Sequence, residues 1–409
     1  MSPRRALAAL AAVALTTTAA ACNSGRDDVA TDDETTLPPS IEAPPTTTAP
    51  ATAAPTTEAS ATTVAPTTVA TTVATTAARL ATTTAASTTT TAAPTTTLPA
   101  PTTTLPATTT TIPAPARMPL TGVPLGFGQT PPDRSALVVK IDNVDEGRNQ
   151  TGLNLADVVF EEVVEGQATR FAAVFHSQGA NPVGPIRSGR TQDIDLLSGL
   201  NSPIFVWSGG NGNVTRAIED SDFVSMSHVG AATRLFYRSS DRPKPHNLYS
   251  NTDPFWQQLG WSIGRPVPLF TYLPPGQAMP GAPAGRLDVQ MGKNPVRWEY
   301  DPASGLYLRS QNGRAHELAE GRASADNVVV LLCNYRPSVA DARSPEAVTV
   351  GNGLAYVLSD GMVQIGGWSR ADNRAPINLV TADGSPMPLA PGRTWVELAD
   401  TANHATTTG

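Results

Sequence analysis

The chain has 409 residues, with 35 acidic side chains against 28 Lys and Arg, a formal charge of −7, and only 5% aromatics beside 38 prolines. An acidic chain lacks the basic footprint that nucleic acid requires. Two cysteines far apart, Cys22 and Cys333, exclude a disulfide framework and leave no metal-type Cys/His spacing, so no metal and no cofactor is called for.

The chain opens with Arg4 and Arg5, an apolar run from Ala6 to Leu15 and small residues up to Ala21. That order predicts a signal peptide over 1–21, because the apolar run is far short of the ~20 residues that span a bilayer. Ala19-Ala20-Ala21 before Cys22 resembles a lipobox, with Ala19 where Leu is usual. Lipid on Cys22 is the expectation, and plain secretion the alternative. Residues 22–117 are Thr, Ala and Pro with few large apolar side chains. They cannot bury enough surface to offset ordering entropy and read as a disordered tether.

Order is expected from Met118, as a mixed α+β fold: an N-terminal α/β-type domain with a central sheet over 118–261, a Pro/Gly-rich linker over 262–292, a β-rich domain over 293–400 and a disordered tail over 401–409. The first strand is the β-branched run around Ala136–Asn143. From Asp157 to Ser177, Val and Phe flank Gly166-Gln167, which predicts a β-hairpin with a two-residue II′ turn. A helix over 157–165 is the alternative, since Glu161 and Glu165 are four apart. The hairpin register predicts pairs 163–170 and 161–172. Glu161, Glu165, Arg170 and His176 then share one face, and Glu162 joins Val158, Phe160 and Phe171 on the other.

Next come Arg187, Ser188, Gly189 and Arg190, with Thr191 placed to cap a short helix. A strand over 203–207 leads through Ser208-Gly209-Gly210-Asn211 into a helix, a layout whose backbone N–H groups can face an anion, though most such turns bind nothing. Arg170, Arg187 and Arg190 can grip carboxylate or phosphate. His246-Asn247 sits in a proline-stiffened loop. In the second half, hairpins are expected at 296–300 with 306–309 and at 354–358 with 362–365. Cys333 ends a run of five apolar residues and reads as a small buried hydrophobe.

Lys140-Ile141-Asp142-Asn143, Thr169-Arg170-Phe171, Gly184-Pro185-Ile186-Arg187-Ser188-Gly189-Arg190, Pro245-His246-Asn247-Leu248-Tyr249, Gly366-Gly367-Trp368-Ser369-Arg370 and Pro391-Gly392-Arg393-Thr394-Trp395 carry a resemblance. It runs in order over roughly 118–400. On these residues the chain resembles the YerB-like lipoproteins, two-domain envelope proteins of Gram-positive bacteria with no established activity. The resemblance implies surface attachment and a mixed fold, and brings no catalytic residues with it.

Two functions follow. One is a non-catalytic module on the outer face of the cytoplasmic membrane, binding a wall polymer or an envelope protein through Arg170, Arg187, Ser188, Arg190, Gly209, Gly210 and Asn247. The other is a hydrolase or lyase on wall glycan or peptide, with Asp142, Glu161, Glu165 or His246 as acid or base. Glu161 and Glu165 would lie roughly 13 Å apart along one strand, too far for a carboxyl pair, whereas Glu161 with Asp142 could form one.

Overall fold

The β-branched run that opens the folded region forms Leu137–Asp142 (β1), a strand buried at all six positions. A strand without an exposed residue is covered on both faces and belongs to the middle of a sheet. The computed structural model describes residues 115–259, 264–402 and 406–408. The signal peptide, Cys22 and the tether up to residue 114 lie outside the described residues.

The expected hairpin forms from Val158–Val163 (β2) and Thr169–Phe175 (β3), but its register differs by one residue. Val163 opposes Thr169, Glu162 opposes Arg170 and Glu161 opposes Phe171. The cause lies at the turn, where Gly166 and Gln167 both take positive φ, 63° and 58°. Ala168 N–H donates to Glu165 O at 3.3 Å, while Val164 N–H donates to Ala168 O at 2.8 Å. Two residues therefore oppose one, which is a β-bulge. It shifts every later pair by one and exchanges which β3 side chains meet those of β2 on each face.

Along its other edge β1 pairs in parallel with Ile204–Trp207 (β4), which pairs in parallel with Val224–Ser227 (β5). Gly212–Glu219 (α2) follows β4, and Gln192–Leu197 (α1) precedes it. β2 is also buried throughout and cannot be an edge. Its free side is taken by Thr394–Asp400, almost the last strand of the chain, in parallel register. Beyond that lie Asn327–Cys333, Gly351–Ser359, Met362–Arg370 and Asn378–Val380. Among the described residues this is a single eleven-stranded sheet, completed by strands from both halves of the sequence. This differs from the expected central sheet belonging to the N-terminal half alone. The correction follows from β2, whose burial on both sides demands a partner that local sequence does not supply.

A second, six-stranded sheet contains Arg286–Met291, Asn294–Asp301 and Leu306–Gln311. Its strands Asn294–Asp301 and Leu306–Gln311 form one of the expected hairpins, and Gly351–Ser359 with Met362–Arg370 form the other. Arg286–Met291 lies inside the segment read as linker, and Thr406–Thr408, inside the expected tail, pairs with its first residues. Two apolar clusters result. One, with Val139, Phe171, Trp298 and Trp395, fills the space between the two sheets. The other, with Phe160, Val174, Leu197 and Ile218, packs α1 and α2 on the opposite face. Cys333 is a buried free thiol, pushed up by burial, as its apolar setting implies.

Candidate functional site

Alternation along β1 to β3 sends polar side chains to both faces of the sheet. On the helix-covered face Asp142, Arg170 and Glu162 form a row across three strands, in direct register. Lys140 lies two residues along the same face of β1. The Lys140 ammonium is held by Glu162 and by Asp193 Oδ1 of α1, the latter at 3.0 Å, with all three side chains at 0% exposure. Burial brings the Lys140 pKa down to about 8 against the pull of Asp193.

The last residues of β1 are covered by the segment that follows β3. Asp142 N–H donates to Pro185 O and Arg187 N–H to Lys140 O, each at 3.0 Å. This pairing brings Arg187 Nε to 3.3 Å from Asp142 Oδ2, and His246 Nδ1 reaches the same oxygen at 2.6 Å. Arg190 forks Glu165, Nε to Oε1 at 2.7 Å and a terminal nitrogen to Oε2 at 2.5 Å. Burial opposes ionisation of Glu165, but the bonds and charge of Arg190 hold its carboxyl below the ordinary range. Gly189 allows the close approach: a Cβ there would sit 2.9 Å from Phe205 and from Trp207.

Arg170 is the exception among these cations. It is 8% exposed and donates to Ser188 O at 2.9 Å. No carboxylate lies within ion-pair distance of it among the described residues. Asp142 is engaged by Arg187 and His246, and Glu162 by Lys140. Burial, then Arg190 and Arg187, push the Arg170 pKa down to about 9. Ser188 Oγ is 3.4 Å from Ser208 Oγ, at the start of the Gly209-Gly210 loop. That loop leads into α2, whose cap Asn211 accepts from Asn213 and Val214. Asp142, Glu165, Arg170, Arg187, Ser188, Arg190 and His246 thus converge, with Gly209 and Gly210 linked through Ser208. Asn247 does not join them: its amide donates to Ser239 O and accepts from Arg238, which fixes its own loop.

Glu161 does not join them either. The bulge puts it on the opposite face, in the layer between the two sheets, so the proposed pairing with Asp142 is geometrically excluded. Glu161 accepts from Asn143 at 3.1 Å and Thr169 at 2.7 Å, and forms an ion pair with Arg309 of the second half. Glu397 stands beside Glu161 in parallel register and accepts from Trp298 Nε1 at 2.9 Å. Burial and the Glu161 charge hold the Glu397 carboxyl well above the carboxylate range, which favours its neutral form. Burial and Arg309 hold His316 well below its ordinary value. As a neutral ring it accepts from Arg309 through Nδ1 at 2.6 Å and donates through Nε2 to Gln150 at 3.0 Å. Glu161, Arg309 and Glu397 are each 0% exposed. No substrate reaches this centre, whose role is to join the two sheets.

Sequence reasoning missed Lys140, Glu162 and Asp193 on one face and Arg309, His316 and Glu397 on the other. Lys140 carried a signal, a charge amid buried β-branched residues. The run Lys140-Ile141-Asp142-Asn143 now has a physical reading, since Lys140 and Asp142 feed the open cluster while Asn143 feeds the buried one.

The family described as protein of unknown function (DUF3048) matches this chain twice, its N-terminal domain over residues 120–262 and its C-terminal domain over 287–396. The Bacillus subtilis (strain 168) protein YerB, named as a lipoprotein, is 29% identical over 292 residues, covering 69% of this chain and 86% of its own. The crystal structure of YerB from Bacillus subtilis superposes with a TM-score of 0.61 at 26% identity, over 71% of this chain and 99% of that one. The chain belongs to the YerB-like family. The run from Gly184 to Arg190 and the loop from Pro245 to Tyr249, on which the resemblance rested, are the segments that deliver Arg187, Arg190 and His246 to the cluster of this chain.

Proposed function

We propose that this YerB-like chain is a non-catalytic module of the cell envelope, held outside the cytoplasmic membrane by lipid on Cys22, that binds an anionic group of a wall polymer. The observation that carries the reading is Arg170, a buried guanidinium without a carboxylate, beside Arg187 and Arg190. Taking such a cation out of water costs several kcal/mol, and an incoming anion recovers that cost. The long Thr/Ala/Pro tether supports a working position within the wall. The test incubates the purified full chain with wall polymer and assays both co-sedimentation and release of soluble fragments. Binding without release is expected, and no binding would sink the proposal. Cys22→Ala should move the protein from the membrane fraction to the medium.

One observation favours a second reading, a hydrolase. The Asp142 carboxylate holds His246 Nδ1 at 2.6 Å, and Nε2 has no partner among the described residues. A carboxylate that orients an imidazole in this way prepares it for proton transfer. Fragment release in the same assay, abolished by His246→Ala, would replace the first reading with this one.

A further inference from the structure

We infer that the anionic group taken by the Arg170 cluster is a phosphodiester. The inference rests on the anion-binding reading above and narrows it.

A carboxylate is planar and matches the flat fork of one guanidinium. Glu165 is held in this way by Arg190. The donors left over are differently arranged. Arg170 comes from β3, Arg187 and Ser188 from the segment after it, and Ser208 from the end of β4. The backbone N–H groups of Gly209 and Gly210 have no partner among the described residues. Hydroxyls, backbone N–H groups and guanidinia drawn from separate segments suit a tetrahedral group with several oxygens. Such a group can take bonds from donors spread around it in three dimensions, whereas a carboxylate takes its bonds close to one plane.

Charge narrows the choice. Lys140 has two acids, Arg187 and Arg190 have one each, and Arg170 has none. The cluster is balanced, with Lys140, Arg170, Arg187 and Arg190 against Glu162, Asp193, Asp142 and Glu165, and Arg170 is the cation with no acid within ion-pair distance, so a singly charged ligand unbalances it least. A phosphodiester carries one charge, whereas a phosphomonoester carries close to two at neutral pH. The Arg187 and His246 side chains are 18% and 16% exposed, so the site opens to solvent. A ligand can therefore extend out of it.

Phosphodiesters occur both in soluble polymers and in lipid headgroups, and the experiment separates these sources. The full chain is titrated calorimetrically with dimethyl phosphate, acetate, soluble poly(glycerol phosphate) and phosphatidylglycerol vesicles. Dimethyl phosphate should bind at least tenfold more tightly than acetate. Arg170→Gln and Ser208→Ala should each weaken dimethyl phosphate about tenfold, the loss of a charge-assisted or multiply shared hydrogen bond. If Arg170→Gln fails to fold, Arg187→Gln and Ser208→Ala, at partly exposed positions, carry the test. The polymer should bind more tightly than dimethyl phosphate because neighbouring groups rebind. Binding to vesicles alone would keep the phosphodiester and assign it to a headgroup. Acetate equal to or tighter than dimethyl phosphate would overturn the phosphodiester and leave anion binding standing. Failure of every anion to bind would overturn both.

Discussion

Arg170 stands directly opposite Asp142 across β1 and β3, yet the two are not paired: the Asp142 carboxylate is engaged by Arg187 and His246 instead. An acid and a base in register would ordinarily be expected to neutralise each other. Here a third segment takes the acid and leaves the base for something else.

Arg170→Met should therefore raise stability while abolishing anion binding. Removing a buried, unpaired charge in favour of an apolar side chain of similar length gains on the order of 1–2 kcal/mol. A higher melting temperature with lost binding is the expected pair of results. A large drop in stability would mean that Arg170 is a structural cation.

The buried centre makes the opposite forecast. Glu161→Gln removes the nearer acid of Arg309, leaving Glu397 Oε1 at 3.8 Å from its Nε, and should cost roughly 3 kcal/mol in urea denaturation. Glu397→Gln should change stability by less than about 1 kcal/mol at pH 7, because a neutral donor replaces an acid that is already neutral. Equal losses for the two variants would refute a neutral Glu397.

Lys140 sets a pH dependence. Its folded pKa, about 8, lies below the ordinary lysine value of 10.5. Between these values the unfolded chain binds more protons, so stability rises with pH across that window and falls as pH drops through about 8. The full swing is at most about 3 kcal/mol for this buried group. Lys140→Met should flatten that part of the stability curve, as followed by denaturant midpoints from pH 7 to 10.5. Glu397 contributes with the opposite sign: raised in the folded state, it gives stability below its unfolded pKa that is lost as pH rises through the folded value.

Gly189→Ala should damage the anion site from outside it. The new Cβ would press on Phe205, Trp207 and Ile218, the first two at 2.9 Å and the last at 3.0 Å. Because strand and helix side chains cannot give way cheaply, the Arg187–Arg190 segment must move. Weaker anion binding with retained far-UV circular dichroism is the result that checks this.

The hairpin from Asp157 to Ser177 was legible in the sequence, because Val and Phe density and Gly166 are local signals. Its register was not. A bulge at Val164 and Glu165 depends on left-handed Gly166 and Gln167, and Gln167 does not advertise that conformation. One residue of slip was enough to move Glu161 from the open cluster to the buried one. Arg187, Arg190 and His246 were legible as a group because they lie in short Gly- and Pro-marked segments. Arg309 and Glu397 were not, since their meaning depends on strands far along the chain: Arg309 meets Glu161 across 148 residues. Periodicity says which face a side chain takes within its own strand, and nothing about which distant strand lies beside it.

The pairing of β2 with Thr394–Asp400 also has a temporal side. Contacts such as Arg393 to Asn154 join residues 239 apart. A chain that emerges amino-terminus first presents β2 with its hydrogen-bonding edge bare until nearly the whole length has followed. Bare edges recruit other strands, and long-range pairing closes slowly. A fragment ending at residue 262 is therefore expected to aggregate rather than bind. The amino-terminal half of this molecule therefore waits for Thr394–Asp400 before its sheet is closed.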